Sequence, residues 1–575
     1  MQFARICEAL EAARATSSRN AKVEAIAGAL REASETGELE LRTAVRVALG
    51  DLSRLGFGWR ALAGALAARL GETNDAAIIE ATRRLGDLGD AAEELVKKKN
   101  EPAPATPLAI ADVAALVGEL RTASSRARRA ALVTAALGRA SALEVKFLVK
   151  ALTGELRIGA APGVVLLAIA RAFDATEADV RRAHGLLADL ADVAVLASEK
   201  RLSEATVRPG RPLAFMLATP IETIKTPIDL SAMVAEEKLD GVRAQVHVRA
   251  GAVTIFARGL ERVTDAFPEV AAAFAGCATD LVLDGEILAV GDAGRSRPFQ
   301  ALQMRLNRKK PTRALLEQVP VCFVAFDVLV RGADVLVDRP WHERRAELES
   351  IARDLGARAG FAVKETTTVA DAASLDAAFD RARGNGNEGL VLKRRDAAYE
   401  AGKRGQTWIK VKKATATLDV VVTAVEQGHG KRAGVLSDYT FAVWNGDELV
   451  DVGKAYSGLT DAEIEGLSKH FIERTLESRG GWRRVMPDIV LEVGFDGIQR
   501  STRHASGFAL RFPRILRVRD DKTPDGCDTL ETVEALFRAQ VESGHREEPA
   551  EPPQSSPAKP AAQLSLFGDE PGRRQ

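Results

Sequence analysis

The stretch EEKLDGVRAQVHVRAG, residues 236–251, decides the fold of the central part of the chain. Val246 and Val248 alternate with polar residues, Gly251 provides a turn, and apolar residues alternate again beyond it. Period-two alternation on both sides of a glycine turn predicts a β-hairpin. Lys238 stands at the mouth of this hairpin. It is either an ordinary solvated lysine or a nucleophile, and the rest of the sequence must distinguish the two.

Composition sets only broad limits on function. A chain of 575 residues is too long for one core, so about three or four domains are expected. The 80 basic and 80 acidic residues cancel, so net charge gives no signature of nucleic-acid binding. The four cysteines form no CxxC pair, which argues against a zinc finger or a disulfide framework.

Targeting segments are not evident in the sequence. No apolar run reaches the length of about 18 residues that a membrane span needs. The first twenty residues are amphipathic and lack the apolar core of a signal peptide. We therefore expect a cytoplasmic protein.

Residue patterns divide the chain into four parts. Residues 1–205 show helical periodicity, interrupted by a proline-rich connection, and predict an all-α domain. Residues 206–415 alternate strands with helices, as in an α+β domain. Residues 416–545 contain short strands and recurrent glycines, a pattern typical of a small β-barrel. Residues 546–575 have the composition of a disordered tail.

Unusual residue placements recur through the α+β part. LDGEI places Glu286 after a strand and an expected Asp-Gly turn, FVAFDVL places Phe326 in an apolar strand, and TWIKVKK alternates Lys410 and Lys412 with apolar residues. Each placement alone is weak evidence, because a lone lysine is usually solvated and a lone phenylalanine usually belongs to a core. The ordered series KxDGxR, DGE, FD, EGxxxK, WxKxK and RFPRILRVRDDK has a negligible chance of arising at random.

This series resembles the motifs of the covalent nucleotidyltransferases, and within them the ATP-dependent DNA ligases of archaeal and bacterial type. The resemblance covers about residues 1–540 and includes TSSRNAKV (16–23) and ELRIG (155–159). It implies a helical DNA-binding domain, an adenylation domain and an oligonucleotide-binding (OB) domain. It also implies ATP and Mg²⁺ as cofactors, nicked double-stranded DNA as substrate, and a monomeric, nucleoid-associated enzyme.

Family resemblance also assigns roles to individual residues. Lys238 would take AMP from ATP, although a free lysine with a pKa of about 10.4 is protonated at neutral pH. Neighbouring cations would lower that pKa and stabilise the triphosphate. The implied contacts to ATP are Glu236, Arg243, Arg258, Glu286, Phe326, Arg404, Lys410, Lys412, Arg514 and Lys522. The implied metal ligands are Glu286 and Glu388, and the implied DNA contacts are Arg157 and Gly159.

Two of these assignments have plain structural alternatives. Phe326 could be a core residue, and Arg157 with Gly159 could simply begin a helix.

The resemblance also implies movement of the C-terminal part. The basic segment 511–522 would close over ATP, with a hinge at 410–419. We also expect lysyl-AMP formation to survive deletion of residues 1–205.

Rival functions fit less of the sequence. An RNA ligase or an mRNA-capping guanylyltransferase would share the lysine chemistry but does not explain the long helical domain. An NAD-dependent ligase would be expected to carry a four-cysteine zinc site. A non-catalytic DNA-binding scaffold does not explain an intact set of motifs from Lys238 to Lys522.

The tail contains an isolated apolar cluster, Gln563-Leu564-Ser565-Leu566-Phe567. It resembles the short peptide through which bacterial replication and repair enzymes bind the sliding clamp. The eukaryotic clamp motif has two adjacent aromatic residues, which are absent here, so the cluster favours a bacterial source. The alternative is a tail that folds back onto its own domain.

Overall fold

A computed structural model describes residues 1–52, 57–100, 106–158, 162–224, 226–291, 296–297, 299–306, 308, 310–412, 416–428, 432 and 434–542. Gly159, the segment Gln563–Phe567 and part of the expected hinge, 413–415, lie outside the described residues. None of the described helices combines the length and apolar character that crossing a membrane requires.

The N-terminal region is helical in its described residues, as predicted. Its helix starts follow local capping chemistry: Ser141 and Glu144 form a capping box at one helix, and left-handed Gly154 ends it. The helices are α1 Phe3–Arg14, α2 Arg19–Thr36, α3 Glu38–Leu49, α4 Trp59–Leu70, α5 Ala76–Leu85, α6 Leu88–Lys98, α7 Ile110–Thr122, α8 Arg126–Gly138, α9 Ala142–Thr153, α10 Pro162–Ala172, α11 Glu177–Leu187 and α12 Leu190–Ser198.

The middle region contains two β-sheets and five helices. Its strands are β1 Leu217–Pro220, β2 Met233–Lys238, β3 Val242–Arg249, β4 Ala252–Ala257, β5 Leu281–Ala289, β6 Val321–Arg331, β7 Asp334–Val335, β8 Phe361–Val363, β9 Thr367–Thr368, β10 Gly389–Arg394 and β11 Arg404–Val411. Its helices are α13 Pro268–Ala273, α14 Phe299–Leu306, α15 Arg313–Gln318, α16 Trp341–Leu355 and α17 Ala372–Gly384.

The chain passes between the two sheets at Lys238. One sheet has the order β1-β11-β10-β2-β9, and the other has the order β4-β3-β5-β6-β7 with β8 paired to β6. The predicted hairpin is present as β3 and β4, with Val248 opposite Val253 and positive φ at Ala250 and Gly251. Lys238 ends β2 in the first sheet, and the connection from it begins β3 in the second.

The expected Asp-Gly turn before Glu286 is wrong. β5 runs without a break from Leu281 to Ala289, and Asp284 and Gly285 lie inside it. A Cβ atom at Gly285 would lie 2.5 Å from ring atoms of Phe323 on the adjacent strand. The glycine is therefore there for close packing and not for a turn.

The C-terminal region is β-rich and carries two helices. Its long first strand pairs with three others, which gathers seven strands into one sheet. The elements are β12 Ala416–Gln427, β13 Leu436–Asn445, β14 Glu448–Ala455, α18 Asp461–Glu473, β15 Thr475–Arg479, β16 Trp482–Val485, β17 Val490–Phe495, β18 Gly497–Arg500, β19 Phe508–Arg511, β20 Arg514–Val518 and α19 Leu530–Glu542.

A buried ion pair fixes β6 against α16 in the middle region. Arg344 and Asp327 are 0% and 1% exposed, and Nε and Nη2 of the arginine donate to the two carboxylate oxygens at 2.8 and 2.9 Å. The remaining Nη1 donates to the carbonyls of Arg339 and Ala397. Asp327 directly follows Phe326, so this pair also fixes the position of that ring.

We predict that Arg344→Ala lowers the free energy of unfolding by about 3–5 kcal/mol, because it leaves the buried carboxylate of Asp327 without a partner. Urea unfolding followed by circular dichroism measures the effect as a lower midpoint. The matched control is Arg313→Ala, which breaks an exposed ion pair with Glu317 and should leave the midpoint unchanged. Equal midpoints for the two variants would contradict the assignment.

Candidate active site

A cavity of about 210 Å³ lies where the two sheets of the middle region face each other. It brings together eight of the residues expected to contact ATP or AMP: Glu236, Lys238, Arg243, Arg258, Glu286, Phe326, Arg404 and Lys410. Its other lining residues are Leu217, Ala218, Glu237, Leu239, Val391, Lys393 and Trp408. β1, β2, β10 and β11 supply one wall, whereas β3, β5, β6 and the end of β4 supply the other.

Lys238 is held at the edge of this cavity by a carboxylate. Its Nζ lies 2.6 Å from Oε2 of Glu388, and the same oxygen lies 2.6 Å from Nζ of Lys412. Burial raises the pKa of the Glu388 carboxyl, but the two ammonium groups outweigh burial and lower it. Sequence reasoning expected cations around Lys238 and assigned Glu388 to a metal ion. The structure places an anion in direct contact with it.

Glu286 occupies the opposite wall of the cavity. Burial raises the pKa of its carboxyl to about 7, although the charges of Lys238 and Arg243 act in the other direction. The nearby carboxylates of Glu388 and Asp284 raise it further. A buried carboxyl with a raised pKa is a group that a bound cation would stabilise in its ionised form.

Glu236 has one satisfied and one unsatisfied oxygen. Its Oε2 lies 2.8 Å from Nζ of Lys393, and the two side chains are 3% and 1% exposed. Oε1 is buried and has no hydrogen-bond partner among the described residues. Because an unpaired buried acceptor is costly, this oxygen is available for a donor on a molecule bound in the cavity.

Aromatic rings and buried cations form one side of the cavity. Nζ of Lys393 lies 4.5 Å from the ring centres of both Phe326 and Trp408. The guanidinium of Arg243 lies 5.4 Å from the same two rings. Phe326 is only half-buried and lines the cavity, so it is not simply a core residue.

Arg243 itself is fully engaged by protein groups. Its Nε and Nη2 donate to Asp284, and its Nη1 donates to the carbonyl of Met216 at 2.7 Å. The hydroxyl of Tyr399 donates to Asp284 at 2.7 Å and accepts from the amide of Met216. Burial disfavours the charge of Arg243, but Asp284 outweighs burial and raises the pKa of the guanidinium.

Three further cations at the cavity are less enclosed. Arg258 and Arg404 are exposed, and Arg404 donates to the carbonyl of Ala218. Lys410 forms no ion pair within 4.0 Å with the part of the chain that the structure describes. Burial, followed by the charges of Lys412 and Arg404, lowers the pKa of Lys410. This lysine therefore lacks the anion that would stabilise its charge.

The predicted basic segment of the C-terminal region lies outside the cavity lining. Nζ of Lys522 pairs with Asp419 at 2.5 Å, within its own region. Arg514 lies 3.4 Å from Glu222. Arg511, which begins the basic segment but was assigned no contact to ATP, reaches Asp240, two residues after Lys238.

A second contact joins the C-terminal region to the site. Nζ of Lys412 lies 3.1 Å from Oδ2 of Asp496 as well as close to Glu388. Burial lowers the pKa of Lys412, but the two carboxylates outweigh burial and raise it. The Lys238 edge of the cavity and the C-terminal region are therefore linked by ion pairs.

The predicted DNA contacts lie elsewhere, in the N-terminal region. Arg157 has a positive φ of 48° and donates to the carbonyl of Gly86 and to Glu155. It is exposed.

Several site residues were given no role from sequence, although Asp284, Lys393 and Trp408 belong to the motifs DGE, EGxxxK and WxKxK. Lys393, Trp408, Asp284 and Tyr399 all take part in the contacts described above. Charged residues inside apolar strands were the available signal for Lys393 and Asp284, since such residues are rarely buried without a partner.

Three family models match successive parts of the chain. Residues 1–170 match a model of the DNA ligase N terminus, residues 215–412 match the ATP dependent DNA ligase domain, and residues 432–522 match the ATP dependent DNA ligase C terminal region.

Individual relatives agree with these matches. A probable DNA ligase of Koribacter versatilis is 43% identical, with 82% of this chain and 85% of the relative covered. A DNA ligase of Methanopyrus kandleri is 37% identical, with 93% and 99% covered. A solved structure titled "Pmar-Lig_PreS3" has a TM-score of 0.58 and 18% identity, and covers 89% of this chain and 99% of that one. That last likeness concerns the fold alone.

Two classes of rival are thereby excluded. The match to the DNA ligase N terminus separates the chain from RNA ligases and capping enzymes, and the match to the ATP dependent domain separates it from the NAD-dependent ligases. The chain belongs to the family of ATP-dependent DNA ligases, the enzymes that use ATP to seal nicks in double-stranded DNA.

Proposed function

We propose that Lys238 is the residue that carries AMP during nick sealing. Its amine attacks the α-phosphorus of ATP, a phosphoramidate forms and pyrophosphate leaves. The 5′-phosphate of the nick then attacks the same phosphorus, which releases the lysine. Finally the 3′-hydroxyl attacks the activated 5′-phosphate, and AMP leaves. The observation that carries this proposal is one cavity in which Lys238 lies between groups suited to a base and groups suited to phosphates.

The base would bind between Glu236 and the aromatic rings. The unsatisfied Oε1 of Glu236 can accept a hydrogen bond from the 6-amino group of adenine. Phe326 lines the cavity and offers a face on which the base can stack. Guanine carries a carbonyl at the corresponding position, so it would leave two acceptors facing each other.

The phosphates would bind on the cationic side of the cavity. Lys410, which has no ion pair within 4.0 Å in the described residues, and the exposed Arg258 and Arg404 surround the Lys238 edge. Lys412 adds a further charge beside Glu388. Such cations stabilise the negative charge that shifts onto pyrophosphate as it leaves.

We propose that Mg²⁺ is held at this edge by Glu286 and Glu388. No cluster of three or more His, Cys, Asp or Glu side chains suited to a metal occurs in the described residues. Mg²⁺ is commonly bound by one or two carboxylates together with substrate phosphates and water, so two carboxylates fit it. The raised pKa of the Glu286 carboxyl supports this proposal, because a bound cation would stabilise the ionised form that burial disfavours. When bound, Mg²⁺ would neutralise charge on the triphosphate.

We propose that the C-terminal region is an OB-type domain that moves during the reaction. Arg514 and Lys522 would leave Glu222 and Asp419 and orient the pyrophosphate in a more closed arrangement. The contacts of Arg511 with Asp240 and of Lys412 with Asp496 support this proposal, because they bring that region to the Lys238 edge. The N-terminal region, including Arg157 and Gly159, would bind the DNA backbone of a monomeric, nucleoid-associated enzyme. Its sealing would serve replication, repair or recombination.

We predict that the purified chain becomes covalently labelled by ATP carrying a label on its α-phosphate, and that Lys238→Ala abolishes the label. Removal of the amine removes the only atom that forms the phosphoramidate. Lys403→Ala is the matched control, since this half-exposed lysine precedes the cavity strand β11 but does not line the cavity. It should label like the unchanged protein. A label that persists in Lys238→Ala would show that another residue carries AMP.

Nucleotide choice offers a sharper test of the base site. We predict that Glu236→Gln shifts the labelling preference from ATP towards GTP by about tenfold or more, a difference of roughly 1.4 kcal/mol. The amide oxygen can still accept from Lys393, whereas the amide NH₂ now faces the cavity and donates to the guanine carbonyl. Competition between labelled ATP and GTP measures the ratio. An unchanged ratio would mean that Glu236 does not contact the base.

We propose that the tail segment Gln563–Phe567 binds the bacterial sliding clamp. Leu564, Leu566 and Phe567 would each contribute about 1.5–3 kcal/mol if fully buried. Ordering a flexible peptide offsets much of this, so we expect affinity of about micromolar strength.

Binding of a peptide of residues 558–571 to a bacterial clamp tests this proposal. The Leu566→Ala/Phe567→Ala peptide is the control and should not bind. Equal binding of the two peptides would show that the contact does not depend on the apolar cluster. Truncation after residue 545 should leave nick sealing intact in an assay without clamp.

A further inference from the structure

Helix α11 of the N-terminal region packs against the loop that precedes β11. A Cβ atom at Gly185 would lie 2.3 Å from the carbonyl oxygen of Ala401 and 3.2 Å from its Cβ atom. The carbonyl of Gly185 accepts a hydrogen bond of 2.8 Å from the amide of Ala214. At Gly185, the helix backbone therefore touches two segments of the middle region at once.

These two segments hold the polar network behind the cavity. One is the stretch 213–216, whose Met216 carbonyl accepts from Arg243. The other is the loop 399–402, whose Tyr399 hydroxyl donates to Asp284. The amide of Gly402 donates to the carbonyl of Ala214, so the two segments are also joined to each other beneath the helix.

Arg243 connects these two segments to the residues that line the cavity. Its guanidinium lies 5.0 Å from the ring centre of Phe215, in the first segment, and 5.4 Å from the centres of the cavity-lining rings of Phe326 and Trp408. A displacement of either segment would move the carbonyl of Met216 or the hydroxyl of Tyr399. The orientation of Arg243 and of the rings around it would change as a consequence.

The hydrophobic core crosses the same boundary. Buried residues of the N-terminal helices form one continuous cluster with residues of the middle region, which include Val207, Leu213, Met216, Val282, Leu329, Val330, Val337, Tyr399 and Trp408. Tyr399 and Trp408 are 4% and 3% exposed. Removal of residues 1–205 would therefore uncover side chains that support the cavity.

We propose that Gly185 is a positioning residue for the nucleotide cavity, so that formation of lysyl-AMP depends on helix α11 being seated on the loop 399–402. This inference rests on the proposed role of Lys238. It replaces the expectation from sequence that self-adenylation survives loss of the N-terminal region. It also makes a DNA-binding region part of the ATP-dependent first step, in which DNA takes no part.

An ion pair at the rim of this contact provides a second, gentler means of disturbing it. Nη1 and Nη2 of Arg182, on α11, donate to the two carboxylate oxygens of Asp338 at 2.8 and 2.7 Å. Both side chains are more than half exposed. Reversal of one charge opposes docking through like-charge repulsion without disturbing a core, and reversal of both restores the attraction.

The test measures how lysyl-AMP formation depends on ATP concentration in the absence of DNA. Gly185→Ala is compared with Gly118→Ala, in which the glycine is in the interior of another N-terminal helix, α7, and the added Cβ meets nothing within 4 Å. Both substitutions raise intrinsic helix propensity to the same extent, so they differ only in the contact with Ala401.

We expect Gly185→Ala to need about tenfold more ATP for half-maximal labelling, with the maximal labelled fraction retained. Gly118→Ala should match the unchanged protein. Arg182→Glu should raise the ATP requirement severalfold, and Arg182→Glu combined with Asp338→Arg should bring it back.

The outcomes separate this inference from the proposed function. Absence of label on the unchanged protein would overturn the role of Lys238. The positioning role would be overturned if the unchanged protein is labelled and Gly185→Ala needs the same ATP concentration for half-maximal labelling. This holds also if the maximal labelled fraction of Gly185→Ala is lower. If Gly185→Ala does not fold, the charge variants decide, and an Arg182→Glu variant with unchanged ATP dependence would overturn it.

Discussion

The paired side chains of Arg243 and Asp284 are the contact on which the rest of the site depends. Asp284 is fully buried inside a strand, so its carboxylate requires a charged partner. Arg243 is that partner, because its Nε and Nη2 donate hydrogen bonds to the two carboxylate oxygens. The remaining Nη1 of Arg243 donates to the carbonyl of Met216, and the hydroxyl of Tyr399 donates a further hydrogen bond to the carboxylate of Asp284. Four segments that are distant in sequence are thereby brought together behind one cavity. The positions of Phe326 and Trp408, of Lys393 between them and of the segments that contact helix α11 all depend on this arrangement.

Charge is distributed around the cavity so that each end suits a different part of a nucleotide. At the end proposed for the base, Glu236 is neutralised by Lys393 but keeps one acceptor free. At the end proposed for the phosphates, Lys410 has no ion pair within 4.0 Å among the described residues. Glu388 lies between Lys238 and Lys412 and pairs with both amines. In the proposed mechanism, a bound triphosphate would pair with the amines of Lys238 and Lys412, and its cation would pair with Glu286 and Glu388. The binding energy would then contribute to the rearrangement of the site.

Sequence reasoning identified the site because its residues follow a fixed order along the chain. Lys238, Glu286, Phe326 and Glu388 were found through short motifs, and the structure places them around the cavity or at its edge. The contacts that hold them were not accessible in this way. Asp284 and Tyr399 are 115 residues apart, and nothing local indicates that they meet. Gly285 was interpreted as a turn residue because Asp-Gly pairs usually form turns, and its close packing against Phe323 of another strand has no local sequence signal. The seat of Gly185 on Ala401 likewise appears only when two regions are packed together.

The most direct test of the account is to locate AMP on the protein. The full chain would be incubated with ATP and Mg²⁺ without DNA, digested, and analysed by mass spectrometry for the added mass of one AMP. The account predicts that the modification lies on Lys238 alone and disappears when ATP is removed and nicked DNA is then added. Modification of Lys393, Lys410 or Lys412 in place of Lys238 would contradict it.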